Sequence, residues 1–536
     1  MAKVKVREIK DFTGGLNFRA DQFQLKDNES PDMLNVEIDP RGGVFSRGGQ
    51  RRLNGTAISG TWAPKRLVPF YGGTPTLMLA TAAKLYRCTS DSFSTLQYSS
   101  GNDITCSSGK GADVAQWGKT LFIVNGSSSV GYKWETTDTY ATALDASGAG
   151  GTNWQNTNAT QTHIPKSDHI IVHANKMFVA STNENSVSYP NRLRWSIENG
   201  PASWDEDDYI DIQGGGEGIT ALAVVSGNLV IFKPNAIYVL FGYSTSNFQV
   251  VELSTTLGVD SKRHIAVTEK GIFFYVRKQG LYFYNGSSLE YLFENIKPIF
   301  DANYVNNSNV ESISLSWVGQ RVWLSLPYST SSSGTESNST TNFVFDPSIN
   351  NGSYTLFKHQ DDKGLVSGCE WTDNSDNDYR LMMHPTLPRV IIVDLYEENT
   401  DKTEGTDVSF ASYYKTKWQD GGNYVQKKMW RRPDFVVKET ISASSIAIKV
   451  YHDFAEGEGQ HRRTFNVTQT PNVDYLVWNN GNWGEEWAAG VVSSIVLTGN
   501  NLGLARTVQI EFTGPVGQKW GLNSIGYKYQ ARNTKG

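Results

Sequence analysis

Asp205-Glu206-Asp207-Asp208, set between Trp204 and Tyr209, is the sharpest acidic cluster in the chain. A hard cation such as Ca²⁺ takes several carboxylate oxygens. The run lacks the EF-hand spacing and its turn glycine, so it reads as a solvated loop. His163, His169 and His173 invite a metal reading, because His169 and His173 flank Ile170-Ile171-Val172 and a strand would put both on one face. A metal site needs a third ligand of matching parity or a nearby carboxylate motif, and neither is present. These histidines are expected to be ordinary strand and loop residues.

Other chemistry is equally thin. The chain has no Gly-x-Ser-x-Gly elbow and no Gly-x-x-x-x-Gly-Lys-Ser/Thr loop. The glycine-rich run from Gln213 to Ile219 opens onto a strand, so it lacks the helix N-terminus that would hold a phosphate and reads as a flexible turn. No copy of the Ser-x-Asp-x-Gly-x-x-Trp box of sialidase blades occurs, nor the Gly-His and Trp-Asp repeat of scaffold propellers. Two facing carboxylates could still serve a glycosidase, which keeps a glycan-cleaving propeller as a third reading. No catalytic residue, cofactor or metal is expected, and the chain is not expected to be an enzyme.

Two basic groups stand out. Arg41, Arg47, Arg51 and Arg52 punctuate a glycine-rich N-terminal stretch, and Lys427-Lys428 with Arg431-Arg432 bracket Met429-Trp430. Next to Pro433, the second group fits an edge strand guarded by charge against stray pairing. It fits docking onto an acidic neighbour equally well.

The elements around these residues are β. Helical periodicity is nearly absent, while short runs of β-branched and aromatic residues alternate with turns of Asn, Gly, Asp or Ser. Leu121–Val124, Asn125-Gly126-Ser127-Ser128 and Val130–Trp134 make one hairpin; Gly280–Tyr284, Asn285-Gly286-Ser287-Ser288 and Leu289–Leu292 make a second. Asn-Gly is the expected signal of a type I′ turn, whose two central residues need positive φ. Many short strands at near-regular spacing predict an all-β fold: a β-propeller body over residues 61–398, with loop insertions, after an irregular N-terminal arm over 1–60. Beyond the polar linker 397–406, a fresh set of strands predicts a β-sandwich-like module over 399–536. Ala146–Thr162 and Tyr328–Thr341 are expected to be long mobile loops, too polar to bury.

Composition bounds the function. The 536 residues carry 49 Lys+Arg against 54 Asp+Glu, a net charge of −5, which argues against the basic footprint of a protein that grips nucleic acid by its phosphates. Aromatics at 12% and charged residues at 19% exclude a wholly disordered chain. Cys88, Cys106 and Cys369 are too few and too scattered for a disulfide framework. The N-terminus lacks the apolar core of a signal peptide. No run reaches the roughly 18 apolar residues of a membrane helix. A chain made in the cytosol, with no membrane insertion, is expected.

The N-terminal residues carry a resemblance. Asp11-Phe12-Thr13-Gly14-Gly15-Leu16-Asn17 is followed by Leu25 to Val36, with Glu29, Pro31, Asp32 and Asn35, then by Asp39-Pro40-Arg41-Gly42-Gly43-Val44 and Arg47 to Arg52. This resembles the opening of the tail nozzle proteins of short-tailed bacteriophages, also called tail tubular B or packaged-DNA stabilisation proteins. Gly218–Ala223, Leu229–Lys233, Ala236–Leu240, Gly258, Gly271–Tyr275 and Gly280–Tyr284 resemble their propeller strands, and Tyr414–Trp418 with Lys427-Lys428 their last module.

The resemblance implies a structural virion protein: a homohexameric ring beneath a tail adaptor, near fibre, spike or needle proteins, assembled in the bacterial cytoplasm. Double-stranded DNA would be retained in its axis, then ejected through it. Six copies at −5 each would carry −30, and any share lining the lumen would repel phosphates. The resemblance also marks Phe12, Gly14, Gly15, Asn17, Arg41, Arg47, Arg51 and Arg52 as assembly contacts. They would form a tether whose removal spares the propeller, with Lys427, Lys428, Trp430, Arg431 and Arg432 as a second docking group. The alternative is a tail hub or receptor-binding component that meets host glycans through exposed Trp and Tyr.

Overall fold

A computed structural model describes residues 3–21, 24–106, 109–126, 129–144, 163–184, 186–216, 218–301, 303–329, 336–349, 352–396, 398–438, 444–455, 459–469 and 494–532. Among them the only α-helix is the single turn Pro298–Asp301.

Six four-stranded antiparallel meanders follow one another, and a seventh is completed by a strand from the N-terminal region. Blade 1 begins with Pro64–Phe70, blade 2 with Asp113–Trp117, blade 3 with Lys166–His173 and blade 4 with Ala221–Val225. Blade 5 begins with Ile265–Thr268, blade 6 with Ser314–Val318 and blade 7 with Val366–Thr372. These seven leading strands line one axial cavity, so the body is a seven-bladed β-propeller. Its ring closes through Gly49–Arg52, which pairs antiparallel with Val390–Leu395 as the fourth strand of blade 7.

Period-2 sorting explains why these strands read as continuous apolar runs. In Gly271–Val276 of blade 5, Ile272, Phe274 and Val276 pack with Ala221, Val230 and Phe232 of blade 4. Phe273 and Tyr275 pack with Leu315, Val322 and Leu324 of blade 6. Each blade is covered on both faces, so both parities are apolar.

The turns obey different chemistry from the one expected. Two-residue turns with both residues at positive φ fall at Ala174-Asn175, Ser226-Gly227 and Gly319-Gln320. At Asn285-Gly286 only the glycine has positive φ. There the Asn285 carboxamide accepts the N–H groups of Ser287 and Ser288 at 2.8 and 2.9 Å, which makes a four-residue loop.

The second body is a sandwich of two sheets. Asp32–Leu34, Tyr413–Lys415, Val508–Thr513, Ser444–His452 and Arg463–Gln469 form one, in that order. The other is built around Gly521–Ala531, flanked by Asp434–Lys438 and Lys428–Trp430 on one side and by Lys5–Ile9 and Val44–Ser46 on the other. Phe435 and Phe512 meet edge to face between the sheets, ring centroids 5.3 Å apart.

Four expectations need correction. The N-terminal region is not an irregular arm: its strands belong to both sheets of the sandwich and to blade 7, because their apolar residues find partners only there. The polar linker is partly a strand, with Thr400–Lys402 lying parallel to Gly49–Arg52. Asp205–Asp208 lies within the strand Gly200–Asp211 rather than in a loop. Tyr328 and Thr341, the ends of a supposed mobile loop, are buried, because backbone polar groups there are satisfied internally: the Tyr328 N–H donates to Thr340 Oγ1 at 3.0 Å. Residues 330–335 and all of Ala146–Thr162 lie outside the described residues.

Candidate functional site

The N-terminal residues singled out above converge on the joint between propeller and sandwich. Phe12 is buried and packs edge to face on Tyr414 of the sandwich, centroids 5.3 Å apart. Gly15 has φ +64°, and a Cβ there would run into the Ser353 hydroxyl on the outer strand of blade 6. Only glycine both adopts this conformation and allows that approach. The Asn17 carboxamide accepts the N–H groups of Arg19 and Ala20 at 2.9 and 3.1 Å, pinning the turn that follows. Gly14 packs against Glu29, whose segment pairs in parallel with Gly15–Leu16.

Asn35 is the centre of the joint. Its N–H donates to the Leu356 carbonyl at 2.8 Å, and its carboxamide NH₂ donates to the Ala411 carbonyl at 2.8 Å. Its side-chain oxygen accepts from Lys358 N–H at 2.9 Å and from Arg47 Nε at 3.0 Å. Arg47 completes the set with two bonds to Asp401, at 3.0 and 2.7 Å, one to the Lys358 carbonyl, and stacking 3.8 Å over the Phe410 ring. Beside it, Arg321 bridges Glu37 at 3.3 Å and Asp394 at 2.6 Å. Lys519 donates to the Arg47 carbonyl at 2.9 Å; burial lowers its pKa to about 8, against the pull of Glu37.

The other arginines lie apart. Arg41 is exposed and paired to Asp39 within its own turn, at 3.0 Å. Arg51 is exposed and Arg52 half-buried, both in the closing strand of blade 7. In the C-terminal group Lys428 and Trp430 are buried, whereas Lys427, Arg431 and Arg432 are exposed. His163, His169 and His173 are buried strand and loop residues, and among the described residues no cluster could hold a metal.

A second constellation, unmarked by any motif, closes one end of the propeller's axis. Asp113 at the start of blade 2 accepts from Arg66 of blade 1 and from Lys262, which reaches it from the turn leading into blade 5. It also accepts the Ile170 N–H of blade 3 at 3.1 Å. Glu311, ahead of blade 6, accepts from Lys65 of blade 1, and Arg263 donates to the Glu311 carbonyl. These bonds cross the ring and narrow the cavity of about 640 Å³ to a funnel at this end. At its other end the exposed lining residues are Gln116, Val267 and Glu370.

Electrostatics at this floor follow from burial. Burial pushes the Asp113 carboxyl up, but the Arg66 and Lys262 charges outweigh it and hold it well below the usual range. Burial, and then the Arg66 charge, pulls Lys262 down to about 8 in spite of Asp113. Burial lowers Arg263 to about 10 and His169 to about 4, so His169 is neutral near pH 7.

No protein-family model and no curated protein matches this chain. Among solved structures, it is similar to BBS1N crystallised in complex with ARL6DN at 11% identity and TM-score 0.35, covering 66% of this chain and 97% of that one. It is similar to YCF48 bound to D1 peptide at 9% identity and TM-score 0.35, covering 68% and 97%. The extracellular domain of the one-component system BT4673 from B. thetaiotaomicron has 8% identity and TM-score 0.37, covering 82% of this chain and 48% of that one. The propeller itself is established by strand pairing, independently of these likenesses.

Proposed function

We propose that this chain is a structural subunit of a bacteriophage tail, a building block of a ring-shaped nozzle that retains packaged DNA and then lets it pass. The observation that carries the reading is where the tail-protein-like residues lie. Phe12, Gly15, Asn35 and Arg47 are residues that join sandwich to propeller, so the resemblance falls on the joint between the two bodies. A closed ring repeats one contact between copies at one angle, which a tied joint between the two bodies favours. The propeller's own axis is bridged by ion pairs at one end, so a DNA channel would lie between copies. No chemical step is assigned to the chain.

Electron microscopy of the purified protein and of virions tests this. A ring with an axial channel wide enough for duplex DNA is the expected result. A strictly monomeric protein absent from purified particles overturns it.

A second reading, a tail hub or receptor-binding component, draws on blade 3, whose last three strands run 9 to 12 residues. There Arg192 lies 3.8 and 3.9 Å over the Tyr189 and Tyr209 rings, and Tyr209 is exposed. Saturable binding to host polysaccharide, without a ring, would favour it.

A further inference from the structure

The floor of the axial funnel carries more positive charge than its own partners cancel. Lys65, Arg66, Lys262 and Arg263 face only two carboxylates, Asp113 and Glu311. Arg66, Lys262 and Arg263 line both the funnel and a small polar chamber of about 70 Å³ beneath it. The other charged residues of that chamber are already paired: Lys110 with Asp168, and Asp260 with Arg277.

Two buried side chains there have unused donors. Arg263 is 6% exposed, and its Nε has no hydrogen-bond partner among the described residues. His169 is 8% exposed, and neither ring nitrogen has one; Nδ1 lies 3.9 Å from Asp113, too far to bond. Orphaned donors and surplus cations in a buried chamber each cost free energy that an anion would recover.

We propose that this floor is a binding site for a compact oxyanion, a phosphate or carboxylate group. The rest of its ligand extends along the funnel toward Gln116, Val267 and Glu370. Arg263 Nε and the His169 ring donate to the oxyanion, and Arg66 and Lys262 balance its charge while keeping Asp113. A volume of about 640 Å³ falls in the range of small-molecule and peptide-segment pockets. This site is independent of the tail reading above.

Calorimetric titration of the full-length protein tests it, with inorganic phosphate in one arm, an oligo-aspartate peptide in another, and chloride at equal ionic strength as control. Saturable one-site binding in either arm is expected, and the arm that binds names the source of the oxyanion. Lys262→Gln leaves Asp113 its Arg66 partner and should weaken binding by about tenfold, the loss of one balancing positive charge beside the oxyanion. Hydrogen exchange of the wild-type protein gives a second readout that needs no variant: saturation should protect amides around Lys262–Ile265 and Ile313. No binding above the chloride control, an unchanged affinity in a folded Lys262→Gln, or protection that maps elsewhere overturns the proposal.

Discussion

Arg47 and Asp401, 354 positions apart in the chain, form a two-pronged ion pair with side chains only 2% and 1% exposed. Arg47 belongs to the segment that leaves the sandwich and Asp401 to the strand that leaves the propeller, so the pair ties both crossings between the two bodies. Breaking a buried pair strands a charge and costs on the order of 3–5 kcal/mol. Arg47→Ala and Asp401→Ala should each lower the urea midpoint accordingly. Arg47→Met combined with Asp401→Leu should recover much of the loss. Additive losses in the double variant would mean that the two residues stabilise the joint separately.

Deleting residues 1–52 should abolish folding rather than merely detach a tether. The deletion removes Lys5–Ile9 and Val44–Ser46 from the larger sandwich sheet, Asp32–Leu34 from the smaller, and Gly49–Arg52 from blade 7. An open propeller exposes two sheet edges. Soluble expression and far-UV dichroism of the truncated protein decide this; a folded, soluble product would show that ring closure is dispensable.

The all-β body was legible because a buried strand writes its pattern locally: Leu229–Phe232 and Ile272–Tyr275 are apolar at every position because blades cover both faces. The joint was half legible. Phe12, Gly15 and Arg47 stood out by type and spacing, but their partners Tyr414, Ser353 and Asp401 are hundreds of residues away, and no local pattern links them. Spaced arginines in a glycine-rich stretch look like a tether until one of them proves buried. The funnel floor left no mark at all. Asp113 and Lys262 are single charged residues 149 positions apart, brought together only by ring closure. Turn chemistry misled for a related reason: Ala174-Asn175 takes positive φ because the flanking strands pair in register, not because its residue types demand it.

Stability should fall as pH drops from 6.5 toward 4. His264 and His384 are buried, and burial holds each down to about 4. An unfolded histidine titrates near 6.5, so below that value the unfolded chain takes up protons that the folded chain refuses. The contribution of each is complete above pH 6.5 and is lost progressively as pH falls through 4, on the order of 2 kcal/mol apiece by pH 5. Asp113, held low, adds its loss only at lower pH. Urea midpoints between pH 7.5 and 5 measure this, and His384→Gln should flatten the slope. A midpoint independent of pH over that range would contradict buried neutral histidines.

The C-terminal basic group should split into two classes. Lys428 is buried, and its ammonium donates to the carbonyls of Asn423, Gln426 and Arg506. Trp430 is buried too, its indole N–H on the Ala505 carbonyl at 3.2 Å. Lys428→Met leaves three carbonyls without their donor, so it should cost on the order of 1–3 kcal/mol. Trp430→Ala opens a cavity in the sandwich core and should cost about 3–5 kcal/mol. Lys427, Arg431 and Arg432 are exposed; the Arg431 side chain donates to the Gln530 carboxamide oxygen at 2.6 Å. Their alanine variants should lie within about 0.5 kcal/mol of the parent. If this face docks an acidic neighbour, those same variants should weaken self-association, and rising salt should do likewise, because exposed charges are screened beyond roughly 10 Å. Sedimentation velocity of the triple variant Lys427→Ala/Arg431→Ala/Arg432→Ala against the parent separates the two roles. Unchanged association and unchanged stability together would leave these three charges as guards on the Lys428–Trp430 segment, with no part in assembly.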